Sequence, residues 1–176
     1  MKSILRITAA GVALATLGFA SNASAATGSA QATAEILSNL TVTASVTDGV
    51  LNFGTISANG LAATSTVVVS PADAVTCGTN LTCTGTAAAP TFNVTGFAGQ
   101  TVAVSFPAST STLTRSGGAL GSMAYQMQVS SFTSSANSVT LTGGAGSFSI
   151  GGTLTVNPTQ APGVYSGSVA VQVEYN

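Results

Sequence analysis

The sequence predicts an all-β sandwich. Three observations carry that prediction. Nine short runs rich in Val, Thr and Ile recur along the chain, each alternates apolar with polar residues, and Gly, Ser, Asn and Pro separate them. Beyond the first 25 residues no segment carries apolar residues at three-to-four spacing over a helical length.

The chain opens on MKSILRITAAGVALATLGFASNASA, in which Lys2 and Arg6 precede an apolar run from Ile7 to Ala20 and Ala23-Ser24-Ala25 supplies a small-residue cleavage site. That layout predicts a secretory signal peptide over 1–25 and a mature chain of 151 residues, about one domain. No other stretch is apolar for long enough to span a bilayer. From Ala30 onward the even positions Ala30, Ala32, Ala34, Ile36, Leu40, Val42, Ala44 and Val46 are apolar, interrupted at Ser38, while the odd partners include Gln31, Thr33, Glu35 and Asn39. Strands rarely exceed about 10 residues. The pattern therefore reads as an N-terminal extension over 26–39 followed by the first strand of a domain over 40–176.

Further runs follow: GVLNFGTI, STVVVS, PTFNVTG, TVAVSF, MAYQMQVSSF, SVTLTG and GSFSIGGTLTV. Their number agrees in general terms with an immunoglobulin-like topology, although pattern alone leaves strand order open. Between them lie Cys77 and Cys83, in VTCGTNLTCT, the only cysteines of the chain. In a secreted protein they predict a disulfide, which over so short a loop stabilises by about 2 kcal/mol. With no His anywhere to complete a metal site, a redox or metal pair is the weaker reading. The last run, GVYSGSVAVQVEYN, sets Tyr165, Gly167, Val169, Val171, Val173 and Tyr175 on one parity and small or polar residues on the other. It predicts one long half-buried strand with an uncovered edge, a feature that invites pairing with another chain.

Charge excludes several functions. Beyond the leader only Arg115 stands against Glu35, Asp48, Asp73 and Glu174, a formal net charge of −3. A chain with one cation offers no basic patch for nucleic acid. Catalysis fares no better, because the mature chain has no His and no Lys, and its carboxylates are scattered singly. No enzyme activity and no cofactor are expected. Low charge suits a subunit whose edges are covered by neighbours. Arg115 reads as a solvated side chain in the TLTRSGG loop, and Met123, Tyr125, Met127 and Val129 read as core. The Gly pairs in SGGALG, TGGAGS and IGGTL read as turns and bulges, since none has a complete phosphate-loop fingerprint. The Asn39, Asn80 and Asn93 sequons carry no weight in so Thr-rich a chain.

Gly163 is fourteenth from the C-terminus and Tyr175 is penultimate, with alternating apolar residues between them. This arrangement resembles the C-terminal signature of chaperone-usher pilus subunits. LNFGTI at 51–56 resembles the LNFG segment of the archaic and alternative pilins, a group that includes spore coat protein U domains. The stretch from Phe148 to Asn176 also resembles the end of secreted bacterial domains of this layout. The resemblance implies an incomplete immunoglobulin-like β-sandwich that lacks its last strand and is completed by a donor strand. It further implies a periplasmic chaperone that lends a strand, an outer-membrane usher that exchanges it, and identical or related pilin subunits as neighbours in a fimbria at the cell surface serving adhesion or biofilm formation. On that reading Ala30, Ala32, Ala34 and Ile36 form the donor strand, and Gly163, Tyr165, Val169, Val171, Val173 and Tyr175 form the acceptor edge. The competing expectation is a stand-alone secreted β-sandwich that binds a ligand such as a surface glycan, its own N-terminal segment folding back to complete the sheet.

Overall fold

β-Branched alternation, which favours pleated backbone over helix, yields an all-β fold in which the one helical element among the described residues is a single 3-10 turn at Met123–Tyr125. The structure is a computed structural model that describes residues 30, 31, 33–118 and 121–176. The predicted leader and Ala32 lie outside those residues. The chain divides into two units, Met1–Glu35 and Ile36–Asn176, and every strand of the described residues belongs to the second. In order they are β1 (Thr41–Ala44), β2 (Thr55–Ala58), β3 (Ser65–Val69), β4 (Val75–Cys77), β5 (Leu81–Thr84), β6 (Thr91–Thr95), β7 (Thr101–Ser105), β8 (Thr110–Arg115), β9 (Gln126–Ser134), β10 (Ser138–Thr140), β11 (Ala145–Val156), β12 (Tyr165–Ser166) and β13 (Gln172–Tyr175).

The twelve-residue β11 is the spine. One edge pairs with β9, and the other is shared: Ala145–Ser149 ladders with β6, and Gly152–Val156 ladders with β3. The main sheet runs β1-β6-β11-β9-β8-β12, with β3 and β4 off its path; a second sheet runs β10-β7-β13, and β2 pairs with β5. Even-numbered residues of β11 face inward and serve two cores. Phe148 and Ile150 pack with Val94, Val102, Val139 and Leu141, whereas Leu154 packs with Phe53, Val67, Val69, Ala89 and Val129. The shift between them falls where β9 carries an extra residue opposite Gly152, with Ser131 at φ 51, and at the neighbouring Gly151 a Cβ would press into the backbone carbonyl of Val69.

Cys77 and Cys83 form the expected disulfide, which ties β4 to the β2–β5 ribbon and adds both side chains to the edge of the first core. Reduction is expected to lower the melting temperature by roughly 6 °C, corresponding to about 2 kcal/mol of lost loop constraint, as a thermal melt with and without reductant would measure. A second tie is Asp73, held at φ 61 in the β3–β4 turn, whose carboxylate accepts from the Ala89 amide at 2.6 Å. Replacing Asp73 with Ala removes that charge-assisted bond and leaves a poorer residue for positive φ. We expect a loss of about 2 kcal/mol by denaturant unfolding, with Asp73→Gly recovering only the backbone part.

Two expectations are corrected. The final run is not one strand: Tyr165–Ser166 pairs with β8 and Gln172–Tyr175 pairs with β7. Four residues, Phe106–Ser109, intervene between β7 and β8, so a chain following both must bend. Gly167 passes close over Leu113 there, and the Ser111 hydroxyl bonds the Ser168 carbonyl. Nor is Arg115 in a loop. It ends β8, its guanidinium lies 5.6 Å from the Tyr125 ring centroid, and its Nε is buried beneath Gly163 without a hydrogen-bond partner among the described residues.

Candidate functional site

The site is built where β1 and β13 meet. Thr41 of β1 pairs with Thr95 at the end of β6, and Tyr175 of β13 pairs with Val102 at the start of β7. The start of β1, the β6–β7 loop and the end of β13 therefore share one pole, from which β1 departs and at which β13 arrives. Among the described residues β1 ladders only with β6, and β13 only with β7. The two edges lie against each other with no ladder between them, forming a seam.

Beneath the seam the second core is only partly covered. Leu40 and Val42 flank it from one side, and Val169, Val171, Val173 and Tyr175 from the other; all six pack against fully buried residues yet stay half-exposed themselves. Their alternation places Ser168, Ala170, Gln172 and Glu174 on the outer face. Tyr175 closes the pole. Its hydroxyl accepts from the Phe97 amide at 2.7 Å and donates to the Ser38 carbonyl at 2.9 Å. Gly96 must be glycine for this, because a Cβ would meet the Tyr175 hydroxyl and the Leu40 and Leu141 side chains.

Four of the six residues expected on the acceptor edge are thus brought together. Gly163 and Tyr165 stand apart from them: Gly163 covers Arg115, and the Tyr165 hydroxyl donates to the Ala161 carbonyl at 2.6 Å while accepting from Gln160 Nε2 at 2.7 Å. They hold the β11–β12 loop, whose Gln160 and Ala161 also bond the Ala124 carbonyl before β9, instead of lining the seam. Of the expected donor residues, Ala30, Ala34 and Ile36 are exposed, Ile36 at 90%, and residues 33–39 form no strand. Leu40 and Val42 were read only as first-strand residues, although their parity with Ile36 was the signal that they face the same core.

Elsewhere the surface offers little chemistry. An open depression beside the stacked rings of Phe106 and Phe132 is bordered by the hydroxyls of Ser109, Thr110, Ser130 and Ser131. Among the described residues no three His, Cys, Asp or Glu side chains gather as metal ligands, and no helix is long and apolar enough to cross a membrane. Neither a curated protein nor a solved structure matches the chain. A family described as a domain of unknown function, DUF4402, matches residues 40–175, beginning at the residue before β1 and ending on Tyr175, and the chain belongs to that family.

Proposed function

We propose that the protein is a structural subunit of a surface fibre, an incomplete immunoglobulin-like sandwich that polymerises by receiving a strand in the seam between β1 and β13. One observation carries this reading: two unladdered edges face each other over apolar side chains that the fold leaves half-covered. An added strand would satisfy both rows of backbone groups and complete the core, gaining affinity from main-chain bonds and specificity from alternate side chains. The segment with matching alternation is 30–36. Burying Ala30, Ala32, Ala34 and Ile36 contributes about 5 kcal/mol at roughly 0.8 kcal/mol per methyl or methylene group. About eight ladder bonds near 1 kcal/mol each match or exceed it. The backbone holds such a joint more than the side chains do. A periplasmic chaperone and an outer-membrane usher are the partners this reading calls for, the first to cover the seam before assembly.

The test is a chain beginning at Leu40, melted with and without a peptide of residues 26–39. A large rise in melting temperature with very slow peptide release supports the reading. A truncated chain that is already stable and ignores the peptide overturns it in favour of a self-contained binding module.

A further inference from the structure

We propose that the depression beside Phe106 and Phe132 is a binding site for a neutral sugar, one pyranose ring of a glycan lying against the two aromatic side chains. This goes beyond the fibre reading and does not depend on it.

The site is assembled by the bulge in β9. Ser130 stands opposite Thr153 and Thr133 opposite Gly151, so Gly152 faces both Ser131 and Phe132. Strict alternation would send Phe132 outward with Ser130. The extra residue, Ser131 at φ 51, instead turns Phe132 to the core side with Val129, over Gly152, where a Cβ would approach the Phe132 ring to 3.3 Å. There Phe132 stacks on Phe106, with ring centroids 5.5 Å apart. Non-glycine residues at positive φ are uncommon, and they gather at ligand-binding sites.

The lining fits a sugar better than other ligands. The depression holds about 470 Å³, within the range of small-molecule sites, and no charged side chain among the described residues lines it, which disfavours phosphate, carboxylate or ammonium groups. Ser109, Thr110, Ser130 and Ser131 bring four hydroxyls to its border. Among the described residues none of the four is hydrogen-bonded within the chain, whereas the next hydroxyl along β8, that of Ser111, is taken by the Ser168 carbonyl. A free hydroxyl both donates and accepts, as a sugar hydroxyl does. The aromatic rings offer their surface to the C–H face of a pyranose. An apolar side chain from a partner protein would bury the same hydroxyls unpaired, at a cost in affinity. A peptide strand finds no free backbone row here, since Thr110 and Ser130 are laddered to each other.

Topology keeps the site clear of the seam. β7 and β8 carry β13 and β12 on one edge and β10 and β9 on the other, and the depression lies on the β9 side. A strand added in the seam does not cover it. In a fibre the site repeats once per subunit, so weak single contacts add up to firm attachment.

Amide chemical shifts of the isotope-labelled mature chain test this. The probes are the methyl glycosides of β-D-glucose, β-D-galactose, α-D-mannose and N-acetyl-β-D-glucosamine, with cyclohexanol as a ring of similar shape bearing a single hydroxyl. At least one sugar is expected to move the amides of Ser109, Thr110 and Ser130–Phe132 with a millimolar Kd. Phe132→Leu keeps the apolar packing but loses the aromatic surface, and should weaken that sugar about tenfold. Ser131→Gly suits the positive φ and loses only a hydroxyl, and should weaken it about fivefold with no loss of melting temperature. Should Phe132→Leu fail to fold, Ser131→Gly decides alone. The assignment is overturned if no sugar moves those amides, if Ser131→Gly binds as tightly as wild type, or if cyclohexanol binds more tightly than every sugar. None of these outcomes involves the seam, so the fibre reading stands or falls separately.

Discussion

Ile36→Asp is expected to abolish assembly while leaving the subunit's own melting temperature unchanged. In the free chain Ile36 is 90% exposed, so the substitution removes no packing from the fold. Docked in a seam, the same position loses about 2 kcal/mol of side-chain burial and places a carboxylate against an apolar floor, a further cost of about 3 kcal/mol. The sum weakens the joint more than a thousandfold. Ala34→Asp, at a shallower anchor, should cost less. Sedimentation of refolded chains beside thermal melts of the monomer separates the two effects, and unchanged fibre yield from Ile36→Asp would show that Ile36 does not enter the groove.

Tyr175→Ala is the largest expected loss of subunit stability, about 3 kcal/mol, because it uncovers the pole of the second core and removes a hydroxyl that serves two backbone groups. Tyr175→Phe separates the contributions. The ring still packs against the second core, while the Phe97 amide loses its acceptor and the Ser38 carbonyl its donor, for about 1 kcal/mol. Equal losses from both variants in chemical denaturation would show that the ring contributes nothing and the hydroxyl everything.

Strands whose apolar parity was unbroken were legible in the sequence. STVVVS, TVAVSF and GSFSIGGTLTV became β3, β7 and β11, and IGGTL, read as a turn or bulge, runs within β11 opposite the extra residue that β9 carries at Ser131-Phe132. Where the alternation carries no hydrophobic contrast, the reading failed. TSTLTR sets Ser or Thr at four of its six positions, with Leu113 the one apolar residue, so β8 looked like a loop although Thr110–Thr114 ladder with β9. β4 and β5 are short and flank the disulfide, and their pairing to β3 and β2 is a tertiary matter that no local pattern encodes. GVLNFGTI was broken at Gly54, which adopts φ 74 against the Thr84 carbonyl and leaves only an isolated bridge at Asn52 before β2. The period-two signal of the last run did survive as burial at Val169, Val171, Val173 and Tyr175. What the sequence could not convey was the change of partner from β8 to β7, because that depends on four residues some sixty positions upstream.

The shared edge of β11 sets the order of events during folding. β3, β6 and β9 all await the same strand, and in sequence they precede it by up to eighty residues. Nothing upstream of Ala145 can close the main sheet until β11 emerges, so contact order is high and the search is dominated by long loop closures. A chain delivered N-terminus first would stay open through most of its passage and then collapse late, in milliseconds to seconds, as one cooperative step. Over that interval the edges of β3, β6 and β9 that β11 covers are exposed together, and a sequence with few charges has little electrostatic repulsion to keep such chains apart.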